Sequence, residues 1–238
     1  MSGHSKWATT KRKKGIIDSK RGKIFTKLAR DITVAARSGA DPNFNFQLRL
    51  AVDRAKTSNM PKDNIERAIA RGAGEGEGGQ LKELVYEAVT SGNIALIIVA
   101  FSDNPNRTAS DIKHILSKNG ASLSPGAAMW QFEKLGVIRF QISNFKFQIE
   151  ELELILIETG AEDIKKEDNE IIVYTKVENL QKVKEAIEKE GVKIEDAGIE
   201  YVAKEPVEIN DAISEKLEKL VDAIEDNDDV ADIFTNVR

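Results

Sequence analysis

The sequence predicts an α+β protein in which a small N-terminal bundle of three helices precedes two α/β domains, at least one of them ferredoxin-like. Three observations predict it. Apolar residues recur at helical spacing through the first 71 residues, and a run of five glycines in the eight residues Gly72–Gly79 then breaks the pattern. Beyond that run, short apolar or alternating stretches take turns with amphipathic ones, as strands and helices do. The length agrees, because 238 residues with 41% hydrophobic content can bury a real core and exceed one small domain.

The first helix is predicted from Ser19 to Arg37, with Phe25, Leu28, Ala29, Ile32 and Ala36 on one face. At roughly 100° per residue, Lys20, Lys23, Lys27, Arg30 and Arg37 gather on nearly the opposite face, while Arg21 falls on the apolar side and must snorkel. Asp41-Pro42 reads as an N-cap and first residue of a second helix, which carries Phe44, Leu48, Ala51 and Ala55 to about Thr57. Asn59 with Pro61 repeats that signal for a third helix, bearing Ile65, Ala68 and Ile69 and ending at Gly72. The glycine run that follows reads as a flexible linker; it lacks the preceding strand and the Lys-Ser/Thr of a phosphate loop.

After the linker, Leu81 to Thr90 alternates, Ser91-Gly92-Asn93 turns, and Ile94 to Phe101 is apolar enough for a central strand. Thr108-Ala109-Ser110-Asp111 reads as a capping box opening a helix with Ile112, Ile115 and Leu116 inward, closed by Asn119-Gly120. From Gly136 the order is strand, helix (Ile149 to Thr159), short strand, strand (Ile171 to Thr175), helix (Leu180, Val183, Ile187) and strand (Ile194 to Val202), a complete βαββαβ unit. The stretch 81–135 is incomplete, so the C-terminal helix (Ile213, Leu217, Leu220, Val221, Ile224) and strand (Val230 to Val237) are expected to return and finish it. The expected division is a basic helical domain at 1–71, a linker at 72–79, an α/β domain at 80–135 plus 206–238, and an inserted ferredoxin-like domain at 136–205.

Charge is distributed as unevenly as structure. Lys6 to Arg37 carries eleven Lys/Arg against Asp18 and Asp31. Residues 1–71 hold 17 Lys/Arg and 6 Asp/Glu, a net +11, whereas the rest hold 18 and 34, a net −16. Such a cationic block is the footprint of a polyanion-binding surface. The candidate nucleic-acid contacts are Lys6, Trp7, Lys11, Arg12, Lys13, Lys14, Lys20, Lys23, Lys27, Arg30 and Arg37. The bland reading is a solvated helix face. Trp7 could stack on a base or lodge in the core. The acidic remainder either orients the basic end toward nucleic acid by repulsion or simply keeps the protein soluble.

Other chemistry has little support. No cysteine is present, and His4 and His114 lack metal-site spacing, so no cofactor or metal is expected. Glu150, Glu151 and Glu153 are expected on an exposed helix face. Asn104, Asn106 and Arg107 stand before the expected capped helix, where Asn106 and Arg107 could make a secondary anion contact or merely satisfy the turn. The absence of cysteine, of an apolar leader and of a membrane-spanning run points to a cytosolic protein.

Several motifs in order resemble one family: GHSKW, KRGKIFTKLAR with DITVAAR, NMPKDNIERAIARGAGE, the YEAV segment, SDNPNRTASDIKHILSKNGASL and the closing DDVADIFTNV are similar to the YebC/PmpR family of probable transcriptional regulators. The resemblance covers essentially the whole chain. It implies an N-terminal helical domain followed by two α/β domains, with mitochondrial relatives acting as translational activators of a cytochrome oxidase subunit and some members helping ribosomes through proline-rich stretches. Members often carry a glycine-rich loop and a Ser-Val-x-Tyr-x-Phe strand where this chain reads Leu123-Ser124-Pro125-Gly126-Ala127-Ala128-Met129-Trp130-Gln131-Phe132. The Phe-rich segment Ser143 to Ile149 reads as packing between domains. Two readings stand: a non-enzymatic DNA-binding transcriptional regulator that uses its basic helices on phosphates, and a ribosome-associated translation factor that grips ribosomal RNA with the same surface.

Overall fold

The structure, a computed structural model, describes residues 18–75, 81–141, 149–167 and 169–238. In chain order its elements are α1 (Asp18–Ala36), α2 (Phe46–Thr57), α3 (Lys62–Gly72), β1 (Lys82–Thr90), β2 (Ala95–Ser102), α4 (Pro105–Lys118), β3 (Ala121–Leu123), β4 (Phe132–Gln141), α5 (Ile149–Thr159), β5 (Ala161–Glu167), β6 (Glu170–Lys176), α6 (Leu180–Lys189), β7 (Ile194–Ala203), α7 (Asp211–Glu225) and β8 (Val230–Thr235). Glu133–Val202 forms one compact unit, and the segments up to Phe132 and from Ala203 to Arg238 form the other. The expected helical domain and the expected first α/β domain therefore lie in the same unit.

In that larger unit, α1 buries Ile32, Ala35 and Ala36 against Leu48, Ala51, Val52 and Ala55 of α2 and Ile65 and Ala68 of α3. The apolar stripe read from the sequence is the one that packs. Close approach of α1 and α3 requires Gly72, because a Cβ there would stand 2.4 Å from the Thr33 carbonyl oxygen and 2.6 Å from the Ala36 Cβ. Two helix starts differ from expectation. The Asp41 carboxylate is spent on the Asn43 amide at 2.8 Å, and α2 begins only after Asn45, whose side chain accepts from Leu48 N at 3.1 Å. Phe44 consequently sits in the turn, 91% exposed, instead of on the apolar face. Asn59, at φ 57°, ends α2 in the left-handed region rather than opening α3, which starts beyond Pro61.

The sheet of this unit is antiparallel in the order β3-β1-β2-β8. The central strand β2 is buried along its whole length, as its continuous apolar run requires. Leu96 and Ile98 of β2 join Ile112 and Leu116 of α4 and Leu217, Leu220, Val221 and Ile224 of α7 in one core. The C-terminal strand β8 pairs with β2, Leu96 opposite Thr235 and Ile98 opposite Ile233. Helix α4 also starts earlier than the capping-box reading: Asn104 caps it, accepting from Arg107 N at 3.2 Å, and Pro105 occupies its first turn. Thr108, expected to be the cap, is instead a buried helical residue.

The Glu133–Val202 unit is a second antiparallel sheet in the order β5-β6-β4-β7, the arrangement a βαββαβ chain adopts in a ferredoxin-like fold. Gly136 lets α6 approach, since a Cβ there would lie 2.8 Å from the Leu180 Cβ. Arg139 of β4 is buried and held by both Glu200 oxygens of β7, at 2.5 and 2.8 Å, with Asp196 at 3.6 Å. Burial opposes its charge, but these carboxylates more than compensate and keep it cationic. On α5, Glu151 is exposed as expected while Glu153 is half-buried. The Phe-rich segment falls outside the described residues, apart from the backbone of Ile149 in α5.

Candidate nucleic-acid interface

Of the eleven cationic or aromatic residues singled out in the sequence, Lys6, Trp7, Lys11, Arg12, Lys13 and Lys14 lie outside the described residues. Lys20 belongs to the first turn of α1 by its backbone. The structure places Lys23, Lys27 and Arg30 along one side of α1, as helical periodicity demands, and Arg37 in the turn one residue past its end, but that side is not turned wholly to solvent. It meets the sheet and the acidic segment that joins α7 to β8.

The contacts run in order along the helix. Lys23 Nζ lies 3.3 Å from Asp226 Oδ1, with the two side chains 50% and 77% exposed. Lys27 donates to the Glu225 carbonyl at 2.7 Å, placing a cation on the last residue of α7, where the helix dipole and unpaired carbonyls favour one. Burial lowers the Lys27 pKa, opposed by the surrounding carboxylates of Glu225, Asp232, Asp228 and Asp226. Arg30 is only 24% exposed and donates through Nη1 to Asp229 Oδ1 at 2.5 Å and the Asp228 carbonyl at 2.6 Å. Arg37 donates to the Leu81 carbonyl at 2.7 Å, at the entry to β1. Three of these four cations thus bond backbone carbonyls of the α/β body, so the expected phosphate-tracking stripe is to a large extent an internal docking surface. The reason is physical: periodicity shows that two faces are opposite but does not show that either is solvated.

Asp229 is the hub on the other side. Besides Arg30, its carboxylate accepts from Thr108 Oγ1 at 2.7 Å, Arg107 Nη2 at 3.1 Å and Ser102 Oγ at 3.3 Å. Its backbone carbonyl takes the Phe101 amide at 2.8 Å, tying the segment to the end of β2. Burial pushes the Asp229 pKa up, but the hydrogen bonds from Thr108, Arg107 and Arg30 outweigh it and hold the carboxyl below its usual range. Arg107, considered as an anion contact, is drawn onto Asp229 and onto Asp103 at 3.3 Å, so the anions it meets are the protein's own. Asn106 is exposed in the first turn of α4. Sequence reasoning missed Ser102, Thr108 and Asp229 as a cluster. The available signal was the acidic run Glu225, Asp226, Asp228, Asp229 and Asp232, opposite in sign to the α1 stripe and able to neutralise it.

No helix among the described residues is long and apolar enough to cross a membrane, and no group of His, Cys, Asp or Glu among them is arranged to hold a metal. A family model described as the TACO1/YebC protein N-terminal domain matches residues 5–75, and one described as the TACO1/YebC second and third domain matches residues 81–237. A probable transcriptional regulatory protein of Desulforamulus reducens is 44% identical over 99% of this chain and 98% of its own length. One of Fervidobacterium nodosum is 48% identical, covering 99% and 93%. The crystal structure of a conserved hypothetical protein from Aquifex aeolicus superposes with a TM-score of 0.85 at 42% identity, over 98% of this chain and 96% of that one.

Proposed function

The chain belongs to the TACO1/YebC family, and on that premise we propose that it is a non-enzymatic, nucleic-acid-binding regulator of gene expression, acting on DNA as a transcriptional regulator. The observation that carries this reading is the charge asymmetry, +11 in residues 1–71 against −16 in the remainder. The names of the relatives, probable transcriptional regulatory proteins, favour DNA as the polyanion.

Docking of α1 changes which residues do the work. Lys27, Arg30 and Arg37 are engaged by the body, so the grip falls to Lys6, Lys11, Arg12, Lys13, Lys14 and Lys20, with Trp7 among them and Lys23 at the half-exposed rim. The cations among these contact phosphates, which position a protein on a duplex without reading its bases. The acidic α/β body is repelled by the same phosphates, leaving the cationic end as the favoured approach. The protein works in the cytosol, without a cofactor.

In-cell crosslinking followed by sequencing of the bound nucleic acid tests the reading. Enrichment of promoter DNA is the expected result. Enrichment of ribosomal RNA would replace transcription with a ribosome-associated role in translation, and no enrichment over background would overturn nucleic-acid binding itself.

A further inference from the structure

The strand β1 has nine residues, but its neighbour β3 has only three, pairing with Ala88, Val89 and Thr90. A bond from Ser124 N to the Glu87 carbonyl at 2.9 Å extends the ladder by one step. The β3 chain then leaves the edge at Pro125, which has no amide to donate, and turns through Gly126 at φ 80°. On its other side β1 pairs with β2 throughout, from Lys82 opposite Ser102 to Val89 opposite Ala95.

Alternate residues of an antiparallel strand send their backbone groups to opposite edges. Since Glu87 faces β3, Glu83 and Val85 face the same way, beyond the point where β3 stops. Among the described residues no hydrogen bond reaches their amides or carbonyls on that edge, and both residues are exposed. This is an open sheet edge in register with a strand already present.

Next to it stands a prepared apolar contact. The Glu87 side chain accepts from Gly126 N at 2.8 Å, Ala128 N at 2.9 Å and Met129 N at 2.7 Å, fixing the loop after β3. Trp130, at the end of that loop, is 69% exposed, and its one polar atom, Nε1, already donates to the Ala127 carbonyl at 3.0 Å. What it still offers is an indole face held in place, so an apolar contact there carries little ordering cost.

We propose that this edge is a strand-addition site: an extended segment of a partner protein pairs with Glu83 and Val85 in continuation of β3 and packs an apolar side chain on Trp130. The ligand is a polypeptide rather than a nucleic acid for two reasons. Alternating amides and carbonyls at strand spacing match only another backbone, and the exposed side chain at the pairing position Glu83 is a carboxylate, which repels phosphate. The same charge favours a segment bearing Lys or Arg between its apolar residues.

The test uses the full chain with Trp7→Phe, leaving Trp130 as the sole indole, and an eight-residue peptide of alternating valine and lysine as probe. The expected result is a saturable change in Trp130 emission that weakens by about tenfold or more when the peptide's pairing-edge amides are N-methylated. Val85→Pro removes the outward amide while sparing the β1–β2 ladder, and it should abolish the response at an unchanged melting temperature. If that variant fails to fold, the N-methylated peptide decides alone. No response to the peptide, an equal response to its N-methylated form, or a response to a mixed-sequence DNA oligonucleotide instead would overturn the proposal.

Discussion

Replacing Arg30 by Gln should destabilise the protein although the residue lies on what periodicity marks as the polar face of α1. The side chain is 24% exposed, and the substitution removes its bonds to the Asp229 carboxylate at 2.5 Å and the Asp228 carbonyl at 2.6 Å. A hydrogen bond involving a charged group contributes about 1.5–3 kcal/mol, and breaking a fully buried ion pair costs about 3–5 kcal/mol. Arg30 is partly solvated, and Asp229 keeps Thr108, Arg107 and Ser102, so the expected loss is about 2–4 kcal/mol. Lys23→Gln, whose pair is half-exposed, should change stability by no more than about 0.5 kcal/mol. Urea titrations followed by far-UV circular dichroism would show the Arg30 variant's midpoint lowered by about 1 M or more for an m-value of about 2 kcal/mol/M. Because the Asp229 pKa is depressed, the stability it contributes is present above its unfolded value of about 3.9 and is lost as pH falls through the lower folded value. The Arg30–Asp229 coupling in a double-mutant cycle should therefore be large at pH 7 and shrink in acid. An Arg30→Gln midpoint within experimental scatter of the parent would refute the docking argument.

Gly72→Ala should lower the melting temperature by an amount equivalent to about 1–3 kcal/mol or more, because its Cβ would meet the Thr33 backbone, which cannot move aside cheaply; an unchanged melting temperature would mean that α1 and α3 do not cross so closely. Asp31 should make stability fall as pH rises from about 4 to about 6, since its folded pKa is raised to about 6, chiefly by burial, with Arg54 opposing and Asp232 and Glu83 adding to the shift. The side chain keeps 27% of its surface, so the effect should stay below the roughly 3 kcal/mol that a full two-unit shift implies. Asp31→Asn should flatten that slope in a series of melts across this range, and an equal slope in both proteins would contradict the assignment.

Much of the fold was legible because burial on one face leaves a periodic trace. The α1 stripe, the all-apolar β2 and the βαββαβ order each follow from which residues must leave water. Helix starts were less legible where two capping residues compete. Asp41 and Asn45 are both good caps, and Asn45 prevails by also donating to the Ala35 and Gly39 carbonyls, both at 2.7 Å. Likewise Asn104 caps α4 because Thr108 is committed to Asp229. The candidate interface was least legible. A cationic stripe looks the same in sequence whether it meets phosphate or an acidic segment nearly 200 residues away, and here Lys27, Arg30 and their acidic partners are separated by 198 and 199 positions.

The division of labour between the α1 stripe and the residues before it is tested most directly by salt dependence. Binding of a duplex would be measured against salt for the parent chain, for Lys11, Arg12, Lys13 and Lys14 changed together to Gln, and for Lys27 and Arg30 changed together to Gln. Each cation withdrawn from a phosphate lowers the log–log slope by about 0.9, so the first variant should lose up to about 3.6 in slope with its melting unchanged. The second should melt earlier yet keep the parent slope under conditions where it remains folded. The reverse pattern, a slope carried by Lys27 and Arg30 and indifferent to the four residues before α1, would contradict the account.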